Sequence, residues 1–344
     1  MTQFIQLHLL TAYPPSNLNR DDLGRPKTAI VGGTTRLRIS SQSLKRAWRT
    51  SELFQEKVAN GLGDRTKLFG RDIFLYLIKG GVSFNSALDC AKRISGVFGK
   101  NESPIDLKKK KEAEKEKLHL KLQQKWRFWD KEALGIPEYS LKQLNDLLAI
   151  EISQLAFIGS EEKANSYKLA DLVIEGNELP KSLDVLRKTT KNTDIAMFGR
   201  MLADMPGKNI EAAVQVAHAI TVNPIKIEDD YFTAVDDLNT HEEDAGAAHI
   251  GDAGFASGIF YEYICINRDQ LVKNLQGDEN LANQAIAALT EAAAKIAPTG
   301  KQNSFASRAY TSYLMAEKGT QQPRSLSVAF LKAMRGDDPL KQAI

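Results

Sequence analysis

Arg38-Ile39-Ser40-Ser41-Gln42-Ser43-Leu44-Lys45-Arg46-Ala47-Trp48-Arg49 is the stretch where a strand hands over to a helix. Arg36 and Arg38 alternate with Leu37 and Ile39, the period of a strand, which predicts that both arginines leave the sheet on one face. Ser40 or Ser41 then caps a helix expected to run to about Asn60. Leu44, Ala47, Trp48, Phe54 and Val58 share one side of its wheel; Gln42, Lys45, Arg46 and Arg49 share the other. A helix N-terminus presents unpaired N–H groups and a partial positive charge. Serine hydroxyls and a glutamine amide there can bond phosphate oxygens, and cations one and two turns later can hold the next phosphates. Such a site reads a nucleic-acid backbone and needs no base contacts.

Working outward, Phe4 to Tyr13 reads as a strand with Ile5, Leu7 and Leu9 on one face, stopped by Pro14-Pro15-Ser16. A loop over 17–26 follows. Thr28 to Val31 and Thr34 to Ile39 flank Gly32-Gly33, a hairpin signal because tight primed turns need positive φ. Beyond the helix, 63–176 is helical in pattern, and the run KKKKEAEKEK at Lys108 to Lys117 reads as a solvated helix or loop. Gly176 to Thr193 is a polar linker. Ala212 to Val222 is predicted as a strand, 226–252 as an acidic protrusion and Phe255 to Asn267 as a strong strand. Asn280 to Ala297 is an Ala-rich helix broken by Pro298-Thr299-Gly300, and Ser304 to Leu314 is the expected last strand. There is no internal repeat. The pattern predicts an α+β domain carrying an inserted helical lobe.

Composition narrows the partners. The 344 residues carry a formal net charge of +3. Residues 1–51 hold eight Lys and Arg against two Asp, leaving the rest of the chain at −3. A basic segment on a near-neutral chain is the footprint of a polyanion partner. With 42% hydrophobic and 26% charged residues the chain has a globular composition, which excludes wholesale disorder. No apolar run reaches the roughly 20 residues of a membrane helix, and no signal peptide is read at the N-terminus. Cys90 and Cys265 are isolated, so a reducing cytoplasm fits.

Leu18-Asn19-Arg20-Asp21-Asp22, the Gly32-Gly33 pair and the run 38–47 resemble the N-terminal signature of the CasC family. That family supplies the repeated backbone subunit of Cascade, the type I-E CRISPR surveillance complex. Asp194-Ile195-Ala196, Gly199-Arg200-Met201, Ala217-His218-Ala219-Ile220-Thr221 and Phe232-Thr233-Ala234-Val235-Asp236-Asp237 extend the resemblance, as do Gly258-Ile259-Phe260-Tyr261 and Lys301-Gln302. It implies an RNA-recognition-motif-like (ferredoxin-like) palm over 1–62 and 177–344. A helical fingers insertion would occupy 63–176, and a β-hairpin thumb about 223–254. It further implies a non-catalytic scaffold that oligomerises along the guide RNA spacer and presents it to the target DNA strand in antiviral defence. Its partners would be guide RNA, target DNA, other copies of itself and the large, small, RNA-capping and guide-processing Cascade subunits, without a membrane or a cofactor. The matching guide-binding positions are Arg20, Lys27, Ser40, Gln42, Ser43, Lys45, Arg46, Arg49 and Arg200. Met201, Phe232, Thr233 and Ile250 fall at the family's thumb and base-wedge positions. No aromatic-rich strand for base stacking is read, so recognition by shape and phosphate is expected.

A rival reading is a metal-dependent ribonuclease using Asp21, Asp22 or the acidic loop with Asp236, Asp237, His241 to Asp244, His249 and Asp252. None of these has a diagnostic metal-binding spacing, no Walker-type loop is present, and no nucleophile pair is local in sequence.

Overall fold

The computed structural model describes residues 2–58, 61–127, 139–234 and 249–344. The strands are β1 (Phe4–Ser16), β2 (Thr28–Val31), β3 (Thr34–Ile39), β4 (Asp64–Thr66), β5 (Ala156–Ile158), β6 (Val214–Val216), β7 (Ala219–Thr221), β8 (Glu228–Ala234), β9 (His249–Asn267) and β10 (Tyr313–Gly319). The helices are α1 (Ser41–Arg49), α2 (Glu52–Lys57), α3 (Phe69–Lys79), α4 (Phe84–Ser95), α5 (Glu112–Arg127), α6 (Leu141–Asp146), α7 (Ser160–Ile174), α8 (Thr193–Phe198), α9 (Arg268–Asn274), α10 (Glu279–Lys295), α11 (Gln302–Phe305) and α12 (Pro339–Ala343). They form two compact units: a sheet unit of Met1–Gly61 with Ala212–Ile344, and a helical unit of Leu62–Glu211. Among the described residues no helix is long and apolar enough to cross a membrane.

The sheet unit is built on an antiparallel sheet ordered β10-β1-β9-β7-β3-β2, with β6 and β8 also pairing β9. Strand β9 is the spine, running 19 residues and pairing four neighbours. Period-2 alternation in β1 sets Leu7 and Leu9 opposite Ile264 and Glu262, with Ala285, Leu289, Trp48 and Phe54 among the other fully buried side chains of this unit. The opposite face, with Leu10 and Tyr261, is covered by Leu326, Phe330, Met334 and Leu340 from the C-terminal segment. Polar bonds pin that cover: Leu326 N donates to the Tyr261 hydroxyl at 2.9 Å, and Arg324 N to Gln6 Oε1 at 2.8 Å. At the β2–β3 turn Gly32 and Gly33 adopt φ of 56° and 70°, as the hairpin reading requires.

Several expectations are corrected. The long helix to Asn60 is two helices, because the Thr50 hydroxyl bonds Arg46 O and the Ser51 side chain caps α2 by accepting from Phe54 N. The strand over 212–222 is two short strands, β6 and β7, interrupted at Ala217-His218. The last strand starts at Tyr313, where pairing with β1 begins at Leu10; Gln302–Phe305 is instead helical. The expected domain boundary at 177 moves to 212. The polar linker has no regular secondary structure, yet Val185 and Leu186 are buried in the core formed by α3, α4 and α5, and Leu202 joins them. The run 108–117 spans the end of one short turn and the start of α5, mostly exposed.

Candidate nucleic-acid interface

Asn19 organises the junction that the opening motif identified. Its carbonyl accepts from Lys27 N at 2.8 Å and its Oδ1 from Ser40 N at 2.9 Å. Asn17 Nδ2 donates to Gly24 O and Gly254 O, and Asp21 Oδ1 accepts from Leu23 N and Arg25 N. The loop over 17–27 is thus tied down beside the start of α1. Ser40 is the N-cap in extended backbone, but among the described residues no side chain caps α1, and its first turn holds no acid. The positive end of the helix is left for an outside acceptor.

Around this end Arg20, Gln42 and Arg46 are exposed, while Lys27, Ser43, Lys45 and Arg49 are half-buried. Burial lowers the Lys45 ammonium pKa below its ordinary value. A groove of about 1040 Å³ opens between the loop over 18–24, the α1–α2 junction and the segment 295–310. Arg20, Ser43, Arg46, Arg308 and Tyr310 line it, with Asp21, Asp22 and Glu52 on its acidic side. Gly300 fixes the third wall: a Cβ there would lie 2.2 Å from Leu18 O. A recess of about 330 Å³ beside it is lined by Lys301, Gln302 and Arg308. Sequence reading missed Arg308 and Tyr310. Their signal was a cation and an aromatic two residues apart just after the Pro-Thr-Gly break.

Two arginines are corrected. Arg36 does not project to solvent; it is fully buried and donates to Thr221 O, Phe330 O and Leu331 O, holding the C-terminal segment on the sheet. Arg200 is buried and paired with Glu162 at 2.5 Å, and it also donates to the carbonyls of Arg187 and Lys208. Its guanidinium is spent on the helical unit rather than offered to a phosphate. The next residue, Met201, is 77% exposed. The motif around Asp194 is structural as well, since its buried carboxylate accepts from Gly63 N.

Strands β8 and β9 form a hairpin, with Phe232 opposite Gly251 and Thr233 opposite Ile250. Successive strand positions alternate faces, so Phe232 and Thr233 lie on opposite sides of the ribbon. The Phe232 ring covers Gly251, where a Cβ would meet it at 2.6 Å, yet Phe232 stays 42% exposed. The acidic stretch 235–248 lies outside the described residues. Asp21 is occupied as a turn acceptor, and among the described residues no three His, Cys, Asp or Glu side chains gather to hold a metal. Strand β9 carries Tyr261 and Tyr263, the residues to weigh against the expectation that no aromatic-rich strand stacks bases. Tyr261 lies beneath the C-terminal segment with Phe330 5.0 Å from its ring, and Tyr263 packs against His8, so that face is not an open stacking platform. What remains open is a polar, cationic surface suited to a polyanion backbone.

The family model described as CT1975-like protein matches residues 5–344. A solved chain titled "CRISPR RNA-guided surveillance complex, pre-nicking" is 30% identical, with 97% of this chain and 83% of that chain covered at a TM-score of 0.74. A second, titled "CRISPR RNA-guided surveillance complex", shares the fold at 24% identity and a TM-score of 0.52, with 97% of this chain and 76% of that chain covered. No curated protein matches. The chain therefore belongs to the CT1975-like protein family, in agreement with the CasC resemblance carried by its opening motif.

Proposed function

We propose that this protein is a non-catalytic guide-RNA-binding scaffold of a type I-E Cascade complex in the cytoplasm. In this reading the sheet unit is the palm, the helical unit the fingers and the β8–β9 hairpin the thumb. Copies assemble along the spacer beside the other Cascade subunits and present the guide for pairing with target DNA. The observation that carries the reading is the uncapped α1 N-terminus, flanked by Arg20, Lys27, Lys45, Arg46 and Arg49 and opening onto the groove. A surface of this kind grips phosphates and leaves base edges free for a second strand. Phe232, Thr233, Ile250 and Met201 are the wedge positions that would set where one copy ends and the next begins.

The test mixes purified protein with single-stranded RNA of increasing length in Mg²⁺ or Mn²⁺. Native mass spectrometry should count more copies on longer RNA, nuclease footprinting should show a repeated spacing, and the RNA should keep its length. Cleavage that disappears in Asp21→Asn while binding persists would overturn the scaffold reading in favour of a metal-dependent ribonuclease.

A further inference from the structure

His218 occupies the break between β6 and β7, a kink that gives the position no strand partner of its own. Arg38 on β3 donates to its Nδ1 at 2.9 Å. Because a guanidinium is always the donor, Nδ1 is the acceptor and the proton of the neutral ring sits on Nε2. The imidazole is exposed, and that Nε2–H has no acceptor among the described residues. Lys27 joins the pair: its carbonyl accepts from Arg38 N at 2.8 Å, and Lys27 and Arg38 line one crevice with Asn19. Asn19 also ties this crevice to the start of α1, since its Oδ1 accepts from Ser40 N. Three basic side chains from three segments are therefore close enough to act on one another, with Arg38 two residues before Ser40.

The charges acting on His218 are those of Arg38 and Lys27, and with burial as the largest cause they hold its pKa below the ordinary imidazole value. Strand β9 alongside brings Glu262, whose carboxyl is buried, and Tyr263, whose hydroxyl donates to Gln6. An anion placed between His218 and the two cations would offset their effect on the imidazole and favour its protonated form.

Resting on the RNA-binding reading above, we propose that Arg38, His218 and Lys27 form one phosphate position on the RNA track, at which His218 takes up a proton as the backbone binds. Nε2–H donates to a phosphate oxygen. The incoming proton lands on Nδ1, and Arg38, released from that nitrogen, turns its N–H groups to the same phosphate. The proton comes from solvent, so RNA affinity is linked to pH.

The probe is a fluorescein-labelled, mixed-sequence single-stranded RNA, titrated by anisotropy into wild type, His218→Gln and Arg20→Ala/Arg46→Ala. One bound proton makes the affinity change by at most about tenfold per pH unit, so wild type should bind several-fold more tightly at about pH 6 than at about pH 8. His218→Gln should lose most of that dependence. Arg20→Ala/Arg46→Ala should bind more weakly throughout and keep it. Calorimetry in two buffers of different ionisation enthalpy should find proton uptake near neutral pH in wild type and not in His218→Gln. Equal pH dependence and equal uptake in the two proteins would overturn the proton-linked site and leave RNA binding standing. Absence of RNA binding by wild type at every pH would overturn both.

Discussion

Glu262 lends itself to a simple solution measurement. It sits in the middle of β9 opposite Leu9, 3% accessible, and among the described residues its Oε2 has no hydrogen-bond partner. Burial pushes its carboxyl pKa up from 4.5 to about 8. Below about pH 4.5 it is protonated in folded and unfolded chains alike. Between there and about pH 8 the folded chain keeps a proton that the unfolded chain has released, so stability falls as pH rises. One proton gives a slope of about 1.4 kcal/mol per pH unit, or roughly 5 kcal/mol across the window. Glu262→Gln keeps the shape and removes the titration. The assay is hydrogen exchange of β1 and β9 amides in urea at several pH values, comparing the two proteins so that shared titrations cancel. The stability of wild type relative to the variant should decline by about 1.4 kcal/mol per unit between about pH 5 and about pH 7.5 and level off above about pH 8. A difference that does not change with pH would refute the buried, neutral carboxyl.

Arg200→Leu removes the cation paired with the buried Glu162 carboxylate and should destabilise the helical unit by about 3–5 kcal/mol; exchange in α7 is the readout. Gly300→Ala forces a Cβ against Leu18 O, which should cost about 1–3 kcal/mol and weaken RNA binding, while Gly207→Ala, with open space around it, should do neither by the same measurements. Phe232→Ala should leave the monomer folded and blur the periodic footprint on RNA, a base–aromatic contact being worth about 1–3 kcal/mol. Faster exchange throughout β8 with an unchanged footprint would make that ring hairpin core.

The sheet and its key junction were legible because their signals are local. Alternation in β1 and β9, the Gly32-Gly33 turn and the one-sided basic stripe of α1 each declare themselves within a dozen residues. What sequence could not show depends on distant partners. Arg36 and Arg38 obey the same alternation, yet the first is consumed by Thr221, Phe330 and Leu331 and the second meets His218, 180 residues away. Arg200 belongs to the resemblance motif, but Glu162 had first claim on it. The end of the helical unit was misplaced because 177–211 is polar in composition and mostly without regular secondary structure, while the burial of Val185, Leu186, Ile195, Met197 and Leu202 depends on partners distant in sequence. Tyr261 and Tyr263 were visible as residues, while the C-terminal segment over Tyr261 was not.

The salt dependence of RNA binding counts phosphate contacts, and so tests whether the α1 surface reads a nucleic-acid backbone. Arg20 and Arg46 are both exposed in the groove beside α1. The measurement is affinity against salt concentration for wild type and Arg20→Ala/Arg46→Ala on two unrelated single-stranded RNAs. Each lost contact should lower the log–log slope by about 0.7, so the double variant should fall by about 1.4, equally on both RNAs. An unchanged slope and affinity, or a loss confined to one RNA, would contradict a backbone-reading surface at α1.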